Sequence, residues 1–249
     1  TGYNIWRSLT SGSGYSLIGN TTNTTFINAG LAVNQTYYYV VTATNSFGSS
    51  AYSPEANATT QPARKWTGAA SGNWDKATTN WVVNGLPTIF QDDASVWFDD
   101  TALSNVAINV TATMSPAIMV VSNSSKSYSF SGNDISGTGG LLKLGNGTAT
   151  FNVANTYSGG TILSNGMIVV GNGDALGTGT ITANGGTLKW NYISGNGAMA
   201  NDIVVNGSVT FDTSSGNWTI NGPITGSGTI LADGDAGGGQ QQGQARRHR

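Results

Sequence analysis

Four segments decide the fold: Gly166-Met-Ile-Val-Val170, Gly186-Thr-Leu-Lys-Trp190, Gly207-Ser-Val-Thr-Phe211 and Gly228-Thr-Ile-Leu-Ala232. Their opening glycines lie 20, 21 and 21 residues apart. A period near 20 belongs to solenoids, in which one coil cannot bury its apolar face alone and stacked neighbours supply the core. Side chains alternate between the two faces of a strand. The second and fourth residues after each glycine therefore share a face: Ile168/Val170, Leu188/Trp190, Val209/Phe211 and Ile230/Ala232 form the predicted inward stack. The opposite face, with Thr187/Lys189 and Ser208/Thr210 in the middle coils, suits solvent. A second apolar series, Ile162, Ile181, Ile203 and Ile224, precedes each glycine by four or five residues and predicts an inward stack on another side of the coil.

Upstream, Val106-Ala-Ile-Asn-Val110, Ala117-Ile-Met-Val-Val121, Tyr128-Ser-Phe130, Leu141-Leu-Lys-Leu144 and Ala149-Thr-Phe-Asn-Val153 continue the theme with looser spacing, as the first coils. The aromatic stretch from Trp66 through Trp74, Trp81 and Trp97 is expected to cap the N-terminal end, where unpaired backbone would otherwise face water. Downstream, the Gly/Gln-rich run and the cluster Arg246, Arg247, His248 and Arg249 read as a flexible tail.

Composition agrees. The chain has 249 residues, 36 glycines, no cysteine and only 9% charged residues. Thr, Ser, Asn, Gly and Val favour strands and turns over helix, so the class is all-β. A formal charge of −2 leaves no footprint for a phosphate backbone and argues against nucleic acid as partner. No apolar run is long enough to span a bilayer, so no membrane insertion by this segment is expected.

Residues 1–60 read differently. Strands are expected at Tyr3–Arg7, Tyr15–Ile18, Thr25–Ile27 and Tyr37–Ala43. Leu31-Ala-Val-Asn-Gln-Thr-Tyr37, then Val-Thr-Ala-Thr-Asn and Gly48-Ser-Ser-Ala-Tyr-Ser-Pro54, resembles the second half of a fibronectin type III domain, which implies part of a β-sandwich acting as a spacer. Trp66-Thr-Gly-Ala-Ala-Ser-Gly-Asn-Trp-Asp75, Asn155-Thr-Tyr-Ser-Gly-Gly-Thr161 and Ala175-Leu-Gly-Thr-Gly-Thr180 are similar to bacterial autotransporter-associated β-strand repeats. The expected organisation is a partial fibronectin type III domain (1–60), a linker and aromatic cap (61–100), a right-handed parallel β-helix (101–235) and a tail (236–249).

Chemistry is sparse. The single glutamate, Glu55, and the single histidine, His248, lie far from the repeats, and Asp134, Asp174, Asp202 and Asp212 sit at Asn/Gly-rich turns where Asx turns are the expected use. Asp92, Asp93, Asp99 and Asp100 flank one strand. Its length separates the two pairs by roughly 20 Å, too far for one shared calcium site. No catalytic residue, metal site or cofactor is expected. Aromatic rings are the better lead, because sugars present apolar C–H faces to them. Parity places Trp190, Phe211 and Trp218 in the core, leaving Tyr192 in a polar loop and Trp74, Trp81 and Trp97 of the cap as candidate carbohydrate-binding residues.

The expected function is a non-catalytic carbohydrate-binding module of a secreted bacterial polysaccharide-degrading enzyme, located outside the cell or at its surface. Its ligand would be a neutral plant polysaccharide, xylan first and β-glucan next, and its partner a glycoside hydrolase domain in the same polypeptide. The alternative is a structural stalk or passenger segment of an autotransporter-like adhesin.

Overall fold

The computed structural model describes residues 2–24, 26–28, 31–32, 35–191, 197–215 and 218–233. They fall into two units, Thr1–Pro62 and Ala63–Arg249.

In the first unit, the strand Gly2–Ser8 lies between Ser16–Thr21 and Thr36–Asn45 and is antiparallel to both. Thr36–Asn45 pairs further with Gly48–Ser49 and Ala56–Thr59. The described residues thus make one five-stranded sheet. Alternation gives it two faces, with Ile5 and Tyr37 buried on one and Val40, Ser8 and Thr42 on the other. The strand expected at 25–27 does not form: Phe26 and Ile27 are irregular, and Thr25 lies outside the described residues.

The second unit is a parallel β-helix. Successive strands alternate between a ten-stranded and an eight-stranded sheet. Thr161–Leu163 belongs to the first, Met167–Val170 to the second, and Ile181–Ala183 returns to the first, directly beside Thr161–Leu163. The third side is irregular in the early coils, where Met114, Ile135, Tyr157 and Leu176 are buried. Late in the chain it becomes a short sheet of Gly197–Met199 against Trp218–Ile220. The side chain of Trp218 is outside the described set, as is all of Tyr192. Instead of only covering the coils, the aromatic segment begins them. Arg64–Trp66 and Asn73–Trp74 start the two sheets, and an antiparallel hairpin, Trp81–Val83 with Leu86–Thr88, closes the end of the larger one.

Parallel pairing stacks each residue on its counterpart one coil away, and two predicted rows need correction on that ground. Ile181, Ile203 and Ile224 stack in register, but Ile181 faces Thr161, and Ile162 faces Thr182. Thr161 therefore takes the inward position, 0% exposed. Its hydroxyl is matched by the Tyr157 hydroxyl at 2.7 Å and donates to the Leu176 carbonyl at 3.2 Å. Ile162 points outward, because a one-residue slip in a strand exchanges its faces. The second correction is a slip of two: Leu188 pairs with Phe211 and Gly186 with Val209. Parity survives a slip of two, so Leu188, Trp190, Val209 and Phe211 all remain buried, as alternation predicts.

The glycine period has a steric cause. A Cβ at Gly207 would stand 1.9 Å from the Asn184 carbonyl oxygen, and one at Gly186 would stand 2.5 Å from that of Gly166. At this corner each coil lies against the backbone of the one before, leaving no room for a side chain. Polar atoms trapped at corners are satisfied by buried asparagines. Asn155 accepts from the Ile135 N–H at 2.8 Å and donates to the Ala175 carbonyl at 2.6 Å. Asn201 donates to the Gly177 and Gly179 carbonyls. Lys143 brings a charge into a mostly apolar interior: it stands inward in register with Val121 and Leu163 and is fully buried. Its ammonium donates to the Leu144 and Gly145 carbonyls at 2.6 and 2.9 Å. Burial pushes its pKa down to about 8, partly offset by the charge of Asp100.

Gly207→Ala should lower unfolding stability by about 1–3 kcal/mol, the cost typical of overpacking. The neighbouring, exposed Ser208→Ala should change it by less than about 0.5 kcal/mol. Urea denaturation of the two variants checks this; equal stabilities would mean that the corner has space.

Candidate binding face

Alternation in Ser95–Asp99 buries Val96 and Phe98 completely and turns Trp97 outward, partly exposed. Register extends this position into a row across the outer face of the ten-stranded sheet: Lys65, Trp97, Val120, Leu142, Ile162, Thr182 and Val204. Most of these are apolar, although they point away from the core. Val120 is only 3% exposed, and the residues flanking it in the row are Trp97 and Leu142.

The borders of the row differ. On one side Gly140 and Gly160 stack, leaving low ground without side chains. On the other stand Ser122, Leu144, Ser164, Asn184 and Asn206, polar except at Leu144, the last two joined by an amide hydrogen bond of 3.0 Å. The row's one charge, Lys65, is neutralised by Asp99 at 2.9 Å. The face is thus a mostly apolar strip, with one border polar except at Leu144 and the other running from Gly140 and Gly160 through Thr180 to the exposed Asp202.

The other predicted ring sites do not join it. Trp74 and Trp81 are 0% and 1% exposed and pack edge-to-face at 5.4 Å, with Phe90 and Phe98 against them. A ring without exposed area cannot stack on a ligand, so these two are core residues of the first coil. Tyr192 lies outside the described residues. Of the four candidates, Trp97 alone is described with exposed surface. Reading 66–100 as a uniform aromatic cap concealed the difference between these rings, although alternation around Trp97 was there to be used. The row itself was missed through the misplaced Ile162. Distance from the glycine does not reveal the slip, because the inward residue lies five before Gly186 at Ile181 but four before Gly207 and Gly228 at Ile203 and Ile224.

The carboxylates serve the fold. Asp100 accepts from the Ser124, Ser125 and Lys126 backbone N–H groups at 2.9, 3.0 and 2.9 Å, latching one coil corner to the next. These donors, that of Lys126 foremost, hold its pKa at about 2. Asp92 pairs with Lys76 and accepts from the Ser115 N–H. Asp134 bridges the Thr113 and Thr156 hydroxyls. At Asp212 burial opposes ionisation, but the Lys189 ammonium at 2.7 Å and Ser214 outweigh it and bring the pKa to about 2. Among the described residues no group of three or more His, Asp or Glu is placed to hold a metal.

In the first unit, a cavity of about 580 Å³ opens on the sheet face bearing Tyr3, Ile5, Tyr39 and Val41, with Phe26 and Asn28 also lining it. Comparison with family models, curated proteins and solved structures finds no match to this chain.

The acid response of the second unit follows from Asp100. Its folded pKa lies below the ordinary 3.8, so its contribution is complete above about pH 4 and is lost as pH falls through about 2. In urea titrations between pH 5 and pH 2, Asp100→Asn should be less stable than the parent at pH 5, with the gap closing toward pH 2. A gap independent of pH would show that the carboxylate charge is not what the corner uses.

Proposed function

We propose that this chain is a non-catalytic carbohydrate-binding module of a secreted or cell-surface protein, and that it holds a neutral polysaccharide, xylan first, on the outer face of its ten-stranded sheet. The observation that carries this reading is Trp97, an indole turned outward on a mostly apolar strip beside the Lys65–Asp99 ion pair, with serines and asparagines along much of one border. Stacking roughly 100 Å² of ring on a sugar contributes about 2.5 kcal/mol at 25 cal/mol per Å². With association and ordering costs subtracted from a few such contacts, Kd falls at about 10⁻⁴ to 10⁻³ M, adequate for a module tethered to a catalytic glycoside hydrolase domain. Neutrality of the strip favours xylan or β-glucan over pectin.

In the same reading the first unit is part of a fibronectin type III spacer. Support comes from Tyr37, buried at the start of its strand, whose hydroxyl accepts the backbone N–H of Ala32 at 3.0 Å. A tyrosine bonded to backbone a few residues upstream is the corner found in such sandwiches. The apolar cavity beside Ile5 and Val41 fits a face that a second sheet would cover. The second unit is read as autotransporter-associated repeats. An adhesin stalk is the second reading of function, favoured by the latches between coils at Asp100, Asn155 and Asn201.

Affinity gel electrophoresis of the full chain in xylan, β-glucan, mannan and pectin separates the two. Retardation by xylan or β-glucan, lost in Trp97→Ala, is the expected result. Unretarded migration in every neutral glycan overturns the binding reading and leaves the stalk.

A further inference from the structure

The outer face has a direction. A ligand on Trp97 could lie along the strand, between Ser95 and Asp99, or across the strands, following the row from coil to coil. Along the strand the track is short: five residues end at corners, and the ion pair of Asp99 with Lys65 closes one end. Across the strands the chemistry repeats. From Trp97 to Val204 the row advances five strand spacings, about 24 Å at 4.7–4.9 Å per strand, on Val120, Leu142, Ile162 and Thr182. Each step brings one apolar or methyl-bearing side chain to the floor. Beside it Ser122, Ser164, Asn184 and Asn206 stand on the same border, interrupted by Leu144, and the glycines at 140 and 160 keep the opposite border low over two coils before Thr180 and Asp202.

We propose that an extended, β-linked neutral polysaccharide lies across the coils on this row, parallel to the solenoid axis, with Trp97 as its stacking platform and Leu142 and Ile162 as further contacts. The inference rests on the carbohydrate-binding reading above and adds the ligand's direction and the residues beyond Trp97. One strand spacing is close to the advance of one pyranose in such a chain, so successive sugars would meet successive coils, each with one floor residue of the row beneath. Val120 fits this arrangement. Its near-complete burial on an outward position is what an indole lying over it would produce, with the other ring face free for the sugar. A peptide strand is disfavoured as occupant, since this face presents side chains and the sheet's hydrogen bonds are already used between coils. A sugar uses the apolar floor and the hydroxyl-bonding border together.

Titration calorimetry with xylo- and β-gluco-oligosaccharides of two to six units tests this, on the parent chain, Trp97→Ala and Ile162→Thr. The last places on one coil the residue that the next carries at Thr182, so the fold tolerates it. Affinity in the parent should climb through six units. Trp97→Ala should weaken every length by about tenfold or more, as loss of an aromatic anchor does. Ile162→Thr, three coils from Trp97, should weaken the hexaose about threefold through lost apolar contact and leave the trisaccharide unchanged. Affinity that stops rising at three units, with Ile162→Thr silent, overturns the axial direction while leaving Trp97 as the site. Absence of binding by every oligosaccharide and polymer removes the carbohydrate reading itself, and with it this one.

Discussion

Everything in the second unit depends on the hydrogen-bonded ladder between coils. Once a strand pairs in parallel with its counterpart one coil earlier, each residue sits over an equivalent residue at one strand spacing, and its face is fixed by that neighbour. Rows, rather than single residues, are the units of this structure. The corners obey the same rule. Where backbone approaches backbone at Gly186 and Gly207 a Cβ has no place, and where carbonyls are trapped an asparagine side chain meets them. Lys143 marks how firmly rows are enforced. It occupies an inward site between Val121 and Leu163, and its ammonium is accommodated by two carbonyls even though burial works against its charge.

The β-helix and its coil length were legible in the sequence because glycine is required for a steric reason at a repeating place, and because alternation assigns faces without knowledge of partners. Trp190, Leu188, Val209 and Phe211 were placed inside on that basis, and they are inside. Register was less legible. A glycine marks where a strand begins to within two residues, and Gly186 faces Val209 instead of Gly207. That offset leaves parity intact. The single-residue error at Ile162 does not, and it hid the outer row, because an apolar residue in a periodic series is assigned to the core by default.

The candidate site was the least legible part. Four tryptophans within 32 positions share one composition, yet Trp66, Trp74 and Trp81 meet in the first coil's interior while Trp97 turns out. Only the burial of Val96 and Phe98 on either side separates it from them. The carboxylates were legible as turn and corner groups but not in their reach. Asp100 acts on a corner some 25 positions along the chain, a pairing that coil stacking creates and local sequence does not announce.

The central claim is that residues at Ile162's position form an outward row. Because the chain has no cysteine, paired substitutions report register directly. Cα atoms of adjacent parallel strands lie within disulfide range, but a bridge also needs both side chains on one face. Ile162→Cys combined with Thr182→Cys should oxidise to an intramolecular disulfide in the folded protein, and Ile162→Cys combined with Ile181→Cys should remain reduced. Bridging of the second pair but not the first, measured by thiol titration and mass spectrometry, would return Ile162 to the core and contradict the account.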